Sequence, residues 1–179
     1  MNSTNPQINF LNPNNSVKAA EPSLTIKVFA SALFAGYSPI APGTVGSAVA
    51  LAIYFIPGFE SPLVMGIMTL LVCLLGIPAA EAMEKWYGHD PAQVTIDEVV
   101  GMWISLLFLP KKILLVLAAF VLFRILDIMK PPVSRKFDTM HGGVGIMMDD
   151  VISGVYTNII LQVTLLIPMI KDFFLRYYV

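Results

Sequence analysis

Residues 99–123 read VVGMWISLLFLPKKILLVLAAFVLF, an apolar run broken at its centre by Pro110, Lys111 and Lys112. Taken as one span, this run carries the acidic pair Asp97-Glu98 and the basic Arg124 to opposite faces of a membrane. Taken as two arms with Pro-Lys-Lys as the far turn, it returns them to the same side. The hairpin is physically preferable, because proline cannot donate the bond that continues a helix and two lysines at mid-bilayer are expensive. Each arm, Thr95 to Leu109 and Ile113 to Ile128, is then about 15 residues, near the short limit for a span. Such arms need a thinned bilayer or cover from neighbouring protein.

The rest of the composition agrees with a membrane setting. Hydrophobic residues make up 56% of the 179, charged residues 13%, and the mean hydropathy is +0.75, which points to an integral membrane protein of one domain. A formal net charge of −1 gives no nucleic-acid footprint. The lone cysteine, Cys73, lies in LLVCLLG, so there is neither an intrachain disulfide nor a CxxC metal pair, and a lipid- or core-facing thiol is expected.

Upstream, residues 1–22 are rich in Asn, Pro and Ser and are expected to be a disordered tail without the pattern of a cleaved signal peptide. Residues 23–179 form a single membrane-embedded domain. Leu24 to Phe34 has the spacing of an amphipathic interfacial helix. Gly36 to Ser47, GYSPIAPGTVGS, breaks regular structure before an apolar helix from Ala48 to about Ile56. A Gly/Pro turn opening onto a helix N-terminus is either a phosphate seat or simply the start of a span. After Pro57-Gly58, the uncharged Ser61 to Ala80 is long enough to cross and completes a first hairpin. His89 and Asp90 fall in a loop. Thr95 is the expected N-cap of the next helix, with Asp97 and Glu98 in its first turn, where acidic residues also suit the helix dipole.

Val151 to Ile170 is a last uncharged run, followed by KDFFLRYYV, an interfacial anchor. The expected fold is therefore all-α, a polytopic membrane bundle of about four to five spans, two hairpins plus a C-terminal span, with an N-terminal interfacial helix. Lys18, Lys27, Lys85, Arg124, Lys130, Arg135 and Lys136 collect on one side, against Lys111, Lys112, Lys171 and Arg176 on the other. The positive-inside tendency places the richer side in the cytoplasm.

That side also collects chemistry. Arg124 to Asp150, RILDIMKPPVSRKFDTMHGGVGIMMDD, is a charged insert between apolar runs, and Asp149-Asp150 enters an uncharged segment, where carboxylates are costly unless paired or bound to a cation. With Asp97-Glu98 and Asp127 they make an all-oxygen environment that suits Mg2+ rather than Zn2+. Arg124 and Lys130 beside it suit a phosphate. A metal with a phosphate clamp implies phosphoryl transfer or hydrolysis at the membrane surface. A phosphohistidine route fails on the sequence: Ser134-Arg135 is followed by His141, but Gly145 stands where that signature needs an aspartate.

The segments GYSPIAPGTVGS, TIDEVVG, FRILDIMKP and HGGVGIMMDDVISG, in this order and spacing, resemble the phosphatidylglycerophosphatase A family of bacterial membrane phosphatases, over roughly Ala35 to Tyr156. The resemblance implies Mg2+-dependent removal of the terminal phosphate of phosphatidylglycerophosphate at the bacterial inner membrane. The matching positions are Pro42, Gly43, Thr44 and Gly46, then Asp97 and Glu98, then Arg124, Asp127 and Lys130, and finally His141, Gly142, Gly143, Gly145, Asp149 and Asp150.

The resulting expectation is that Asp97, Glu98, Asp149 and Asp150 hold one or two Mg2+, with Asp127 the next candidate. Arg124 and Lys130 bind the phosphomonoester, and the turns at Gly43 to Gly46 and Gly142 to Gly145 donate backbone N–H groups. A water activated by the metal is the expected nucleophile, with an aspartate as alternative, and His141 is either proton donor to the leaving oxygen or a structural residue beside the glycines. The rival from another class is a divalent-cation transporter or channel, which uses the carboxylates but leaves Arg124, Lys130 and the glycine turns idle. Oligomeric state is left open.

Overall fold

The computed structural model describes residues 20–176. The tail expected over 1–22 lies almost wholly outside them, as do Lys18 and the paired tyrosines Tyr177 and Tyr178 of the expected anchor. Among the described residues all regular structure is helical: α1 (Leu24–Ala30), a 3-10 turn (Ala35–Tyr37), α2 (Pro42–Tyr54), α3 (Pro62–Tyr87), α4 (Ile96–Leu106), α5 (Ile113–Met129), α6 (Ser134–Asp138), α7 (Gly143–Thr164) and α8 (Pro168–Arg176).

Helix α1 starts where Ser23 accepts the Ile26 N–H and lies against α3. It stops before the expected Phe34, because Ser31 Oγ accepts the Phe34 N–H at 2.9 Å and the chain turns through Ala32, Leu33 and Phe34 at positive φ. Helix α2 begins at Pro42, not Ala48. Proline at the first helical position loses no bond, since that N–H has no helical partner. The PGTVG segment, expected as a turn, is therefore the opening of a helix.

Among the described residues, only α3 and α7 are long and apolar enough to cross a membrane. Their 26 and 22 residues reach about 39 and 33 Å at 1.5 Å per residue. Helix α4 has 11 residues, about 16 Å, short of a full crossing by itself, so of the expected four to five spans the described residues show two span-length helices with shorter ones packed among them. The arm ends early for a nonlocal reason. Asn158 of α7 donates to Ser105 O at 3.2 Å and Leu107 O at 2.7 Å, supplying carbonyls at the helix C-terminus that would otherwise lack donors.

Helix α4 packs against α2, α3, α5 and α7. Val100, Met102 and Leu106 are fully buried, and Trp103 Nε1 donates to Ala50 O at 3.0 Å. Glycines permit the close approach. A Cβ on Gly154 of α7 would fall on the carbonyl oxygen of Gly101 of α4, and a Cβ on Gly101 would stand 2.8 Å from Asp150 O.

The chain runs up and down as the Pro-Lys-Lys interruption predicts. Lys111 pairs with Glu60 at 3.1 Å, so the α4/α5 and α2/α3 turns share one end. The starts of α2, α4 and α7 and the ends of α3 and α5 share the other. Apolar side chains stay exposed in helical rows, Leu63, Ile67, Leu70 and Leu74 on α3 and Ile113, Leu117, Val121 and Ile125 on α5. Rows of this length on a folded surface mark contact with something apolar.

Candidate active site

The site lies at the shared polar end. The first turn of α4 carries Asp97 and Glu98, the second turn of α7 carries Asp149 and Asp150, and the end of α5 carries Arg124, Asp127 and its cap residue Lys130. Asp97, Asp149 and Asp150 are only 8%, 6% and 3% exposed.

Oxygens from Asp97, Glu98 and Asp150 lie within 4.8 Å of one another, and so do oxygens from Asp127, Asp149 and Asp150. Asp150 belongs to both groups. Arg124 Nη1 stands 3.0 Å from Asp127 Oδ2 and 3.7 Å from Glu98 Oε1. Lys130 Nζ reaches Asp149 Oδ2 at 2.6 Å, and Ser134 Oγ donates to Asp149 Oδ1. These five acids thus face two cations, an excess of buried negative charge that a further cation would balance.

Whether a divalent cation fits can be judged from the oxygens left over. Asp97 Oδ1, Glu98 Oε2 and Asp150 Oδ2 are buried and make no hydrogen bond, although buried carboxylate oxygens are ordinarily satisfied. All the donors are hard oxygens on three different helices, the chemistry that Mg2+ takes. Arg124 Nε is likewise buried without a hydrogen-bond acceptor. The five acids and Lys130 line a cavity of about 300 Å³ whose other walls include Pro42, His89, Asp90, Met140 and Gly145, with Arg124 behind Glu98 and Asp127. That is the small end of the range for ligand clefts, about 300–1,000 Å³, enough for a phosphorylated headgroup and not for a whole lipid.

The first glycine motif meets this cavity. A Cβ on Gly43 would fall on Glu98 Oε1 and stand 2.8 Å from Arg124 Nη2, while one on Gly46 would stand 2.8 Å from Thr95 Cβ. Gly43 therefore lets the start of α2 abut the Glu98-Arg124 pair, and Gly46 lets it close on Thr95. The first-turn N–H groups of Gly43 and Thr44 have no acceptor within the helix. Thr95 is the N-cap residue of α4 as expected, but its side chain makes no capping bond.

The second glycine motif serves packing more than donation. Gly142, at φ +94°, gives its N–H to Glu84 Oε2 at 2.6 Å, and Gly145 gives its N–H to Gly142 O at 3.0 Å. A Cβ on Gly143 would fall on Ile77 O and one on Gly145 on Met140 O. The expected row of phosphate donors over Gly142 to Gly145 is thus taken up at both ends within the protein.

His141 is not brought to the carboxylates. Its side chain is 81% exposed with Nδ1 3.5 Å from Glu84 Oε1, and its ring lies 4.3 Å from that of His89. His89 Nδ1 is 2.8 Å from the same Glu84 oxygen. Glu84, His89 and Ser134 stand outside the expected site: His89 is expected only as a loop residue and Ser134 only as part of the failed phosphohistidine signature. Ser134 lay inside the charged insert and was legible there. Glu84 and His89 carried no local signal, since only the fold joins them to His141.

The sequence profile described as phosphatidylglycerophosphatase A matches residues 28–165. A phosphatidylglycerophosphatase A of Escherichia coli is 41% identical over 123 residues, 67% of this chain and 72% of that one. One of Haemophilus influenzae is 34% identical over 151 residues, 82% and 93% of the two chains. A Bacteroides thetaiotaomicron protein provisionally named phosphatidylinositol-3-phosphatase is 42% identical over 150 residues, 79% and 94%. No solved structure matches significantly.

Proposed function

The chain belongs to the phosphatidylglycerophosphatase A family, and on that premise we propose that it removes the terminal phosphate of phosphatidylglycerophosphate, releasing phosphatidylglycerol and inorganic phosphate with Mg2+ as cofactor. The observation that carries this reading is the set of buried, unpartnered oxygens on Asp97, Glu98 and Asp150 facing a cavity that also holds Lys130. Asp97, Glu98 and Asp150, with Asp149 and Asp127 beside them, would hold the ion. When bound, Mg2+ supplies Lewis-acid stabilisation of the charge that develops on the phosphoryl oxygens.

The protein's own groups bind and orient. Arg124 keeps Nε free for a phosphate oxygen while Nη1 lies in ion-pair range of Asp127 and Glu98, so the guanidinium is oriented before substrate arrives. The Gly43 and Thr44 N–H groups add the positive end of the α2 dipole. Lys130 holds Asp149 in place and contributes positive charge at the cavity wall. Burial of the carboxylates limits water around the reacting phosphate.

The membrane setting belongs to the same proposal. The exposed apolar rows of α3 and α5 face lipid, the protein is multi-pass in the bacterial inner membrane, and the site end, with Lys27, Lys85, Arg135 and Lys136, faces the cytoplasm. A divalent-cation pathway would draw on buried hydroxyls below Asp150. Those of Ser105 and Thr157 are tied to carbonyls four residues back, Gly101 O at 2.8 Å and Ser153 O at 2.9 Å, whereas Ser153 Oγ is unbonded; what supports hydrolysis over transport is the pair of cations, Arg124 and Lys130, set among the carboxylates.

A phosphoinositide is a second reading, because the Bacteroides relative carries that provisional name. Phosphate release from both lipids by purified, detergent-solubilised protein, with Mg2+ and with chelator, decides. Chelator-sensitive release from phosphatidylglycerophosphate, lost in Asp97→Asn and Asp150→Asn, is expected. Near-wild-type turnover by both variants would sink the metal assignment, and release from the inositol lipid alone would transfer the activity to it.

A further inference from the structure

Beyond the carboxylate cavity, we propose a second metal site, formed by Glu84, His89 and His141 and suited to a borderline divalent ion of the Zn2+ class. One ligand atom from each lies within 4.8 Å of the others. The Nδ1 atoms of both rings converge on one carboxylate oxygen, Glu84 Oε1, at 2.8 and 3.5 Å. Ligands about 2.1 Å from a tetrahedral ion stand about 3.4 Å apart, so these separations need little adjustment to close around one.

The geometry goes beyond what a single hydrogen-bonded pair requires. One histidine suffices to pair a carboxylate, yet two from separate loops meet here with ring centroids 4.3 Å apart. The Glu84 side chain is only 10% exposed, and its other oxygen accepts the Gly142 N–H at 2.6 Å. That is the kind of supporting bond that fixes a ligating carboxylate before the ion arrives. The donor set also differs in kind from the catalytic one. Two imidazoles and a carboxylate favour Zn2+ and its neighbours, whereas the all-oxygen group favours Mg2+. His141 at 81% exposure leaves the remaining coordination positions open to water.

An ion here joins the end of α3, the 88–95 loop and the start of α7. His89, Asp90, Pro91, Ala92 and Val94 of that loop wall the catalytic cavity, so the ion clasps the rim of the site without touching the reacting phosphate.

The test uses the full-length protein in detergent, stripped with chelator, given one equivalent of Zn2+ in a large excess of Mg2+, desalted and assayed for bound zinc. Wild type is expected to retain about one zinc per chain, and so is the Asp97→Asn/Asp150→Asn double variant. Retention should fall about 10-fold or more in His89→Ala/His141→Ala and in Glu84→Gln, the latter keeping the shape of the side chain should the double variant fold poorly. No zinc retained by wild type against Mg2+, or retention lost with the aspartates and kept without the histidines, would overturn the proposal. The phosphatase reading survives either result, since it is tested on turnover with Mg2+ alone.

Discussion

Lys111 Nζ lies 3.1 Å from Glu60 Oε2, and the same ammonium stands over the Tyr54 and Phe55 rings at 5.3 and 5.6 Å. One lysine thus ties the α4/α5 turn to the α2/α3 turn, which obliges Asp97-Glu98 and Arg124 to meet at the opposite end. In a Cys73→Ala background, a single cysteine at position 111 and one at position 136 should be labelled by an impermeant reagent from opposite sides of the membrane. Labelling of both from the same side defeats the arrangement.

The Glu60 carboxyl is held below the usual range, first by its own backbone N–H and then by Lys111. A carboxyl whose folded pKa is below its unfolded one adds stability above the unfolded value and loses it as pH falls through the folded value. Glu60→Gln should therefore melt lower than wild type near neutral pH, with the gap closing as the solution is acidified past the depressed pKa. Melting curves across that range check it, and a gap independent of pH assigns the effect elsewhere.

Asp150 is the one carboxylate common to both oxygen groups. Asp150→Asn should lower kcat at least about 100-fold, the scale on which a group that stabilises transition-state charge acts, and added Mg2+ should not restore it. Asp127→Asn disturbs one group and should be the milder change, measured as phosphate release over a Mg2+ titration.

Asn158 caps α4 from another helix. Asn158→Leu leaves Ser105 O and Leu107 O without that donor, at about 1–3 kcal/mol, and should lower the melting temperature while folded protein keeps its turnover.

Gly154→Ala places a Cβ on Gly101 O and forces α4 and α7 apart, costing about 1–3 kcal/mol. Unlike Asn158→Leu, it should lower turnover as well, because the same face of Gly101 leaves no room for a Cβ beside Asp150 O. Equal activity in the two variants at matched stability would detach the crossing from the site.

The up-and-down path was legible because Pro110, Lys111 and Lys112 carry strong local penalties inside an apolar run. The carboxylates were legible for the same reason, each being costly where it stands. The length of α4 was not, since the bond that ends it comes from Asn158, 51 residues beyond Leu107. Nor was the start of α2: glycines that look like loop residues are there to let a helix end abut Glu98 and Arg124. His89 and His141 lie in different loops and meet beside Glu84, a partnership no sequence window contains.

The Gly101–Gly154 crossing has a metrological consequence. Gly101 follows Glu98 by three residues and Gly154 follows Asp150 by four, so main chain bears on main chain one turn below the facing carboxylates, as the pivot of a calliper lies behind its jaws. Side chains can shift rotamer, but packed backbone hardly yields. The opening of those jaws is therefore gauged by the least compressible part of the bundle, and under the proposed metal reading that fixed measure would tell apart ions whose bond lengths differ by a few tenths of an ångström, as those of Mg2+ and Ca2+ do.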